Sequence, residues 1–194
     1  MGNDGLKSKF ADLQQDLSSE AQNGYPMFIA GIVFWLCAGL ASFFLAEKVL
    51  VWVYVFGVGL VFPLGILVSK VLKINFLATH NPLSVIGGLV GGIQIFFAPL
   101  VILVAYEQPG SMPFVVGVLT GAHFLPYVAI YQSKAYLFQT VGTVLAVSVI
   151  GINWMDQAFT LIPFVLVVVY AITLIWLIRE VSVKKSHAAR NLSI

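Results

Sequence analysis

His123 is the one histidine that falls deep inside an apolar run of this 194-residue chain. It sits near the middle of residues 113–131. At 100° per residue, Thr120, His123, Tyr127, Tyr131 and Lys134 share one helical face within about 80°. A polar stripe of this kind belongs against a bundle interior or a wet cavity, away from lipid. Imidazole titrates near neutral pH, so the stripe could contact a polar ligand or serve a proton-linked step. It could equally act as glue, because a hydrogen bond between membrane helices is worth about 0.6 kcal/mol on average and up to about 2.

Neighbouring runs offer matching groups. Residues 82–105 carry Ser84, Gly87, Gly91, Gln94 and Ala98 on one side, with Gln94 at a depth close to that of His123. Gly87 with Gly91 and Gly88 with Gly92 form overlapping Gly-x-x-x-Gly pairs, a spacing that lets helix backbones approach. Gly117 and Gly121 repeat it beside the His123 stripe. Residues 135–153 place Gln139, Gly142, Thr143, Ala146 and Asn153 on one face, and the last run adds Tyr170 and Thr173. The candidate ligand-binding residues are therefore His123, Gln94, Tyr127, Thr120, Tyr131, Gln139 and Thr143. The candidate helix-packing residues are Gly87, Gly88, Gly91, Gly92, Gly117 and Gly121. The expected picture is a polar core built by the third to sixth runs, with the first two more uniformly apolar.

Signals for catalysis are missing. No Asp or Glu falls inside any run, and there is no H-E-x-x-H, G-x-S-x-G or phosphate-binding Gly-rich motif. His80 and His187 lie in connecting segments far from His123 along the membrane normal, so the histidines do not make a metal site. Cys37, alone in the sequence, excludes an intramolecular disulfide and reads as a small packing residue. No ring of charges or repeated carbonyl-lined loop supports a channel filter. The expectation is a protein that is not an enzyme and takes no cofactor, metal or nucleic acid.

Hydropathy sets the elements that must position these groups. The chain is 60% hydrophobic and 9% charged, where a soluble domain carries about 25% charged residues. Six runs, about 27–45, 50–69, 82–105, 113–131, 135–153 and 158–178, match the roughly 20 residues a bilayer-spanning helix needs. The fold class is all-α: a polytopic bundle of six transmembrane helices, residues 27–179, with no room for a second, soluble domain. Residues 1–26 form an amphipathic helix, with Leu6, Phe10, Leu13 and Leu17 on one face. Its acids, Asp4, Asp12, Asp16 and Glu20, outnumber Lys7 and Lys9. It therefore fits docking on the bundle or on a partner helix better than charge-driven binding to anionic lipid. This polar start lacks the form of a cleavable signal, so the first run reads as a signal anchor. Residues 180–194 form a basic tail, frayed from Arg179 onward. Pro63, Pro99, Pro126 and Pro163 interrupt four runs and predict kinks. Tyr25, Trp52, Tyr106, Tyr131, Tyr136, Trp154 and Trp176 stand near run ends, as interfacial aromatic residues do.

Lysine and arginine avoid every other gap between the runs. Lys7, Lys9, Lys70, Lys73, Lys134, Arg179, Lys184, Lys185 and Arg190 fall on one side, and Lys48 alone on the other. By the positive-inside rule both termini are cytoplasmic.

Several motifs occur together: Tyr25-Pro26-Met27-Phe28; Phe62-Pro63-Leu64-Gly65 with Ser69-Lys70; Asn81-Pro82-Leu83; and Gly121-Ala122-His123-Phe124-Leu125-Pro126-Tyr127 with Ser133-Lys134-Ala135-Tyr136. This set resembles a family of small bacterial membrane proteins known as a domain of unknown function. The resemblance covers most of residues 20–180. It implies the six-helix plan and a bacterial cytoplasmic membrane, and it carries over no activity.

These residues leave three functions open. The first is a transporter-like or ligand-binding protein with its site between the third, fourth and fifth spans. The second is a structural or accessory subunit, packing as a homo-oligomer or against a membrane partner through its Gly-rich faces and N-terminal helix. The third, with least support, is an intramembrane enzyme. A water-accessible cavity around His123 would favour the first, and a tightly packed His123 the second.

Overall fold

The computed structural model describes residues 3–191; the remaining terminal residues, and the side chains of Asn3, Lys185 and residues 187–191, lie outside the described part. Among the described residues the chain is all-α, with helices α1 (Asn3–Glu20), α2 (Tyr25–Ala41), α3 (Glu47–Val71), α4 (Pro82–Gly92), α5 (Ala98–Glu107), α6 (Met112–Ala122), α7 (Tyr127–Tyr131), α8 (Lys134–Asn153) and α9 (Ala158–Asn191). Six stretches are long and apolar enough to cross a membrane: Gln22–Ala41, Glu47–Val71, Pro82–Glu107, Pro109–Tyr131, Lys134–Asn153 and Met155–Lys184. The protein is a multi-pass membrane bundle. Span three joins α4 to α5, and span four joins α6 to α7.

Local chemistry explains the boundaries. Asn81 accepts a hydrogen bond from the Leu83 amide at 2.9 Å, and Pro82 follows in the first turn of α4. Both features suit a helix start. Ser133 caps α8 in the same way, accepting from the Ala135 amide at 3.2 Å. Between α1 and α2 the chain turns through positive φ at Gln22, Asn23 and Gly24. A Cβ at Gly24 would stand 2.8 Å from the Tyr136 hydroxyl, so this turn needs glycine for both backbone and space.

The four prolines act in two ways. Helices α3 and α9 run on through Pro63 and Pro163. Pro99 and Pro126 instead sit where a new helix begins. Ile93–Phe97, ahead of Pro99, tightens into a 3-10 turn. Ahead of α7, the amides of Phe124, Leu125 and Tyr127 bond back three residues, to Gly121, Ala122 and Phe124. Pro99 lies in the first turn of α5 and Pro126 caps α7, positions where the absent N–H has no intrahelical partner to lose. Helix α9 continues to Asn191, beyond the expected fraying point at Arg179. No glycine or proline occurs after Pro163 to stop it.

Helix α2 packs along α9 and α3, while α6, α8 and α9 complete the centre. The core is aromatic. Phe28 and Trp35 of α2, Tyr54 of α3 and Tyr170 of α9 are buried. Glycines on facing helices make room for rings: a Cβ at Gly31 would fall 2.3 Å from Tyr170, and one at Gly57 2.6 Å from Phe34. Span three is the least buried of the six, with Leu83 its one buried residue among those described. It lies at the edge of the bundle, with α4 against α1 and α7 and α5 against α3 and α6.

Helix α1 crosses the end of the bundle where α9 finishes. Its second half is fastened there. Asn81 Nδ2 donates to the Leu13 carbonyl and to Asp16 Oδ2, each at 2.8 Å, and His80 Nε2 lies 3.0 Å from the same Asp16 oxygen. Asn75 Nδ2 donates to Glu20 Oε2 at 2.7 Å, and Lys184 Nζ to Ser18 Oγ at 2.8 Å. Gln14 donates to the Ala129 carbonyl and accepts from Gln132. The predicted apolar face divides: Leu17 is buried and Leu13 half-buried, while Leu6 and Phe10 are 64% and 46% exposed.

Candidate functional site

The two helix breaks stand opposite each other, and each carries a polar side chain. Gln94 lies in the 3-10 turn of span three, and His123 is the first residue after α6. His123 Nδ1 is 2.7 Å from Gln94 Nε2 and 2.6 Å from the Thr120 carbonyl oxygen. One ring nitrogen cannot accept from the amide and donate to the carbonyl at once. The tautomer therefore selects which bond is made: unprotonated Nδ1 accepts from Gln94, and protonated Nδ1 donates to Thr120.

Tyr127 supplies the second tie between these spans. Its hydroxyl donates to the Gly87 carbonyl at 2.7 Å, and a Cβ at Gly91 would approach that hydroxyl to 3.2 Å. The Gly87–Gly91 pair is thus a seat for a tyrosine and not a backbone contact. Tyr127, Tyr131 and Tyr136 stack with ring centroids 5.4–6.2 Å apart. Tyr136 donates to the Asn23 carbonyl at 2.7 Å. Tyr131 and Tyr136, expected near the membrane surface, are buried in this stack beneath the α1–α2 turn. The break after α6 and the positive φ of Gln132 take Lys134 off the stripe, and it lies exposed at the start of α8.

Gln139 and Thr143 belong to a different place. Gln139 Nε2 donates to Thr143 Oγ1 at 3.1 Å, and Thr173 Oγ1 donates to Gln139 Oε1 at 2.7 Å. All three side chains are fully buried. They close on one another and hold α8 to α9, apart from the His123 cluster with which Gln139 and Thr143 were grouped as candidate ligand contacts. At Gly117 and Gly121 a Cβ would meet Val147 at 2.9 Å and Thr143 at 2.8 Å. Gly88 and Gly92 do not pack within the chain, and a Cβ at either would find nothing within 4 Å.

Two open grooves mark the surface. One runs along α9 and includes Trp176 and Arg179; the other lies near Glu107, Gln108 and Met155. Neither reaches His123, whose ring packs on Phe124 with centroids 4.0 Å apart. His123, Gln94 and Tyr127 are each half-buried, and together they form a polar junction between spans three and four.

A family model matches residues 10–180 of the chain and describes a family of unknown function, DUF7010. The chain belongs to the DUF7010 family. No curated protein and no solved structure matches it. In this DUF7010 protein the matched region takes in the fastened half of α1, the first five spans and the sixth up to Glu180.

Sequence reasoning passed over the α1 anchors. Gln14, Ser18 and Asn23 are polar yet at most 4% exposed, and polar residues on the apolar side of an amphipathic helix were the available signal. It also passed over Tyr54, whose buried hydroxyl has no hydrogen-bond partner among the described residues. Nothing in the local sequence marks that residue apart from an interfacial tyrosine.

Proposed function

We propose that this DUF7010 protein is a non-enzymatic, multi-pass membrane protein that works by association, with span three as its contact for a partner helix. The observation that carries this reading is the outward glycine pair. Gly88 and Gly92 lie in open space, on a face with Val85, Leu89 and Phe96, which are 61%, 71% and 81% exposed. Small residues flanked by large apolar ones allow close helix approach in a bilayer, where van der Waals packing drives association. A second copy of the chain is the simplest occupant. The distribution of lysine and arginine supports an orientation with both termini inside. The test is Gly88→Leu with Gly92→Leu in the full chain in native membranes. Loss of the assembled species at unchanged protein level supports the reading; an assembly unaffected by both changes contradicts it.

A transporter-like reading is the second, and one observation favours it. The breaks at Gln94 and His123 face each other across spans three and four, and broken helices at mid-membrane are a feature of transporter sites. Span three could then swing away and open the His123 junction. His123→Ala and Gln94→Ala should abolish the phenotype at unchanged protein level under this reading. If both are merely structural, the protein level falls instead.

A further inference from the structure

The groove on α9 has the chemistry of a lipid and lies at the end of the bundle that α1 crosses. Residues Ala158–Ile178 are free of charge, and Arg179 is the first ionic residue to follow. The hydrocarbon boundary therefore falls close to Arg179. Ile172 and Ile175 line the lower part of the groove, Trp176 stands one turn below the boundary, and Arg179 and Lys184 line its upper part. From Ile172 to Lys184 the helix rises about 18 Å, which covers the upper part of an acyl chain, the glycerol level and the phosphate level. The open volume is about 690 Å³. All three of Ile172, Ile175 and Trp176 are exposed, at 45%, 53% and 38%.

The charges in the groove favour an anion. Glu180 also lines it, accepts from Asn23 Nδ2 at 3.4 Å and offsets part of the charge of Lys184, which leaves Arg179 as the uncompensated cation of the groove among the described residues. Lys184 gives one donor to Ser18 and retains two others. Arg179 makes no hydrogen bond or ion pair among the described residues. A guanidinium above a tryptophan and a strip of isoleucine matches a phosphate ester that carries acyl chains, with the planar donor fork suited to phosphate oxygens.

We infer that this groove binds an anionic phospholipid, its phosphate on Arg179 and Lys184 and one acyl chain along Ile172 and Ile175. The site is independent of span three. The test uses the full chain in detergent by native mass spectrometry, titrated with phosphatidylglycerol, with phosphatidylcholine of the same acyl chains, and with glycerol phosphate. Phosphatidylglycerol is retained over phosphatidylcholine, and Arg179→Gln lowers that preference about fivefold, the equivalent of one basic residue at an anionic surface. Ile175→Glu removes retention by blocking the chain path, while Lys48→Gln at the opposite end changes nothing. Equal retention of the two lipids, an unchanged preference in Arg179→Gln, or glycerol phosphate binding as well as the whole lipid would each overturn the inference.

Discussion

Leucine at Gly117 or Gly121 would drive a side chain into Val147 or Thr143, whose atoms lie 2.9 and 2.8 Å from where a Cβ would stand. Overpacking of this kind costs about 1–3 kcal/mol, so both variants should unfold at lower temperature in detergent. Gly88→Leu should not, because its Cβ meets nothing; a thermal shift assay on the three proteins separates inward from outward glycines. Tyr54→Phe should be neutral or stabilising in the same assay. It removes a buried hydroxyl without a partner among the described residues, and deleting such a group relieves a desolvation cost of about 1–3 kcal/mol. The Gln94–His123 contact was legible in the sequence because both residues are polar, sit at one depth, and lie on antiparallel neighbours. The fate of Gln139 was not. Its partner Thr173 is chosen by the rotation of α8 against α9, and helical periodicity does not fix that angle when every face is apolar.

Helix α1 is fastened by side chains from three other elements, and Asn81 serves two purposes there. It caps α4 and holds Leu13 and Asp16 of α1. Loss of an N-cap costs about 1 kcal/mol, and the ties to α1 go with it. Asn81→Ala is therefore expected to speed limited proteolysis within the first 24 residues, while the spans stay resistant; a digest followed by mass spectrometry reads this directly. The amphipathic face of α1 was legible from its spacing. Its division into a docked half and an overhanging half was not, because Leu6, Phe10, Leu13 and Leu17 are equivalent by period and differ only in what lies beneath them. The prolines show the same limit. Four were visible, but two break their helices and two do not, according to whether the preceding turn has tightened to 3-10 geometry.

Six spans were readable from hydropathy alone because a bilayer demands long apolar helices with their backbone bonds closed internally. Their arrangement around the centre was not readable. Lipid-facing and protein-facing positions are alike apolar, so the sequence did not show that span three would lie at the edge while the first span filled the core. The proposed orientation predicts that a cysteine at Lys73, on a Cys37→Ser background, is labelled in intact cells only by a membrane-permeant reagent. One at Gln108 should react with an impermeant reagent. The most direct measurement of association is photo-crosslinking from a photoreactive amino acid at Leu89, which is 71% exposed beside Gly88 and Gly92. In native membranes it should yield a discrete protein adduct that vanishes when Gly92→Leu is added. A yield no greater than from the same group at Val141, exposed on α8, would contradict association through span three.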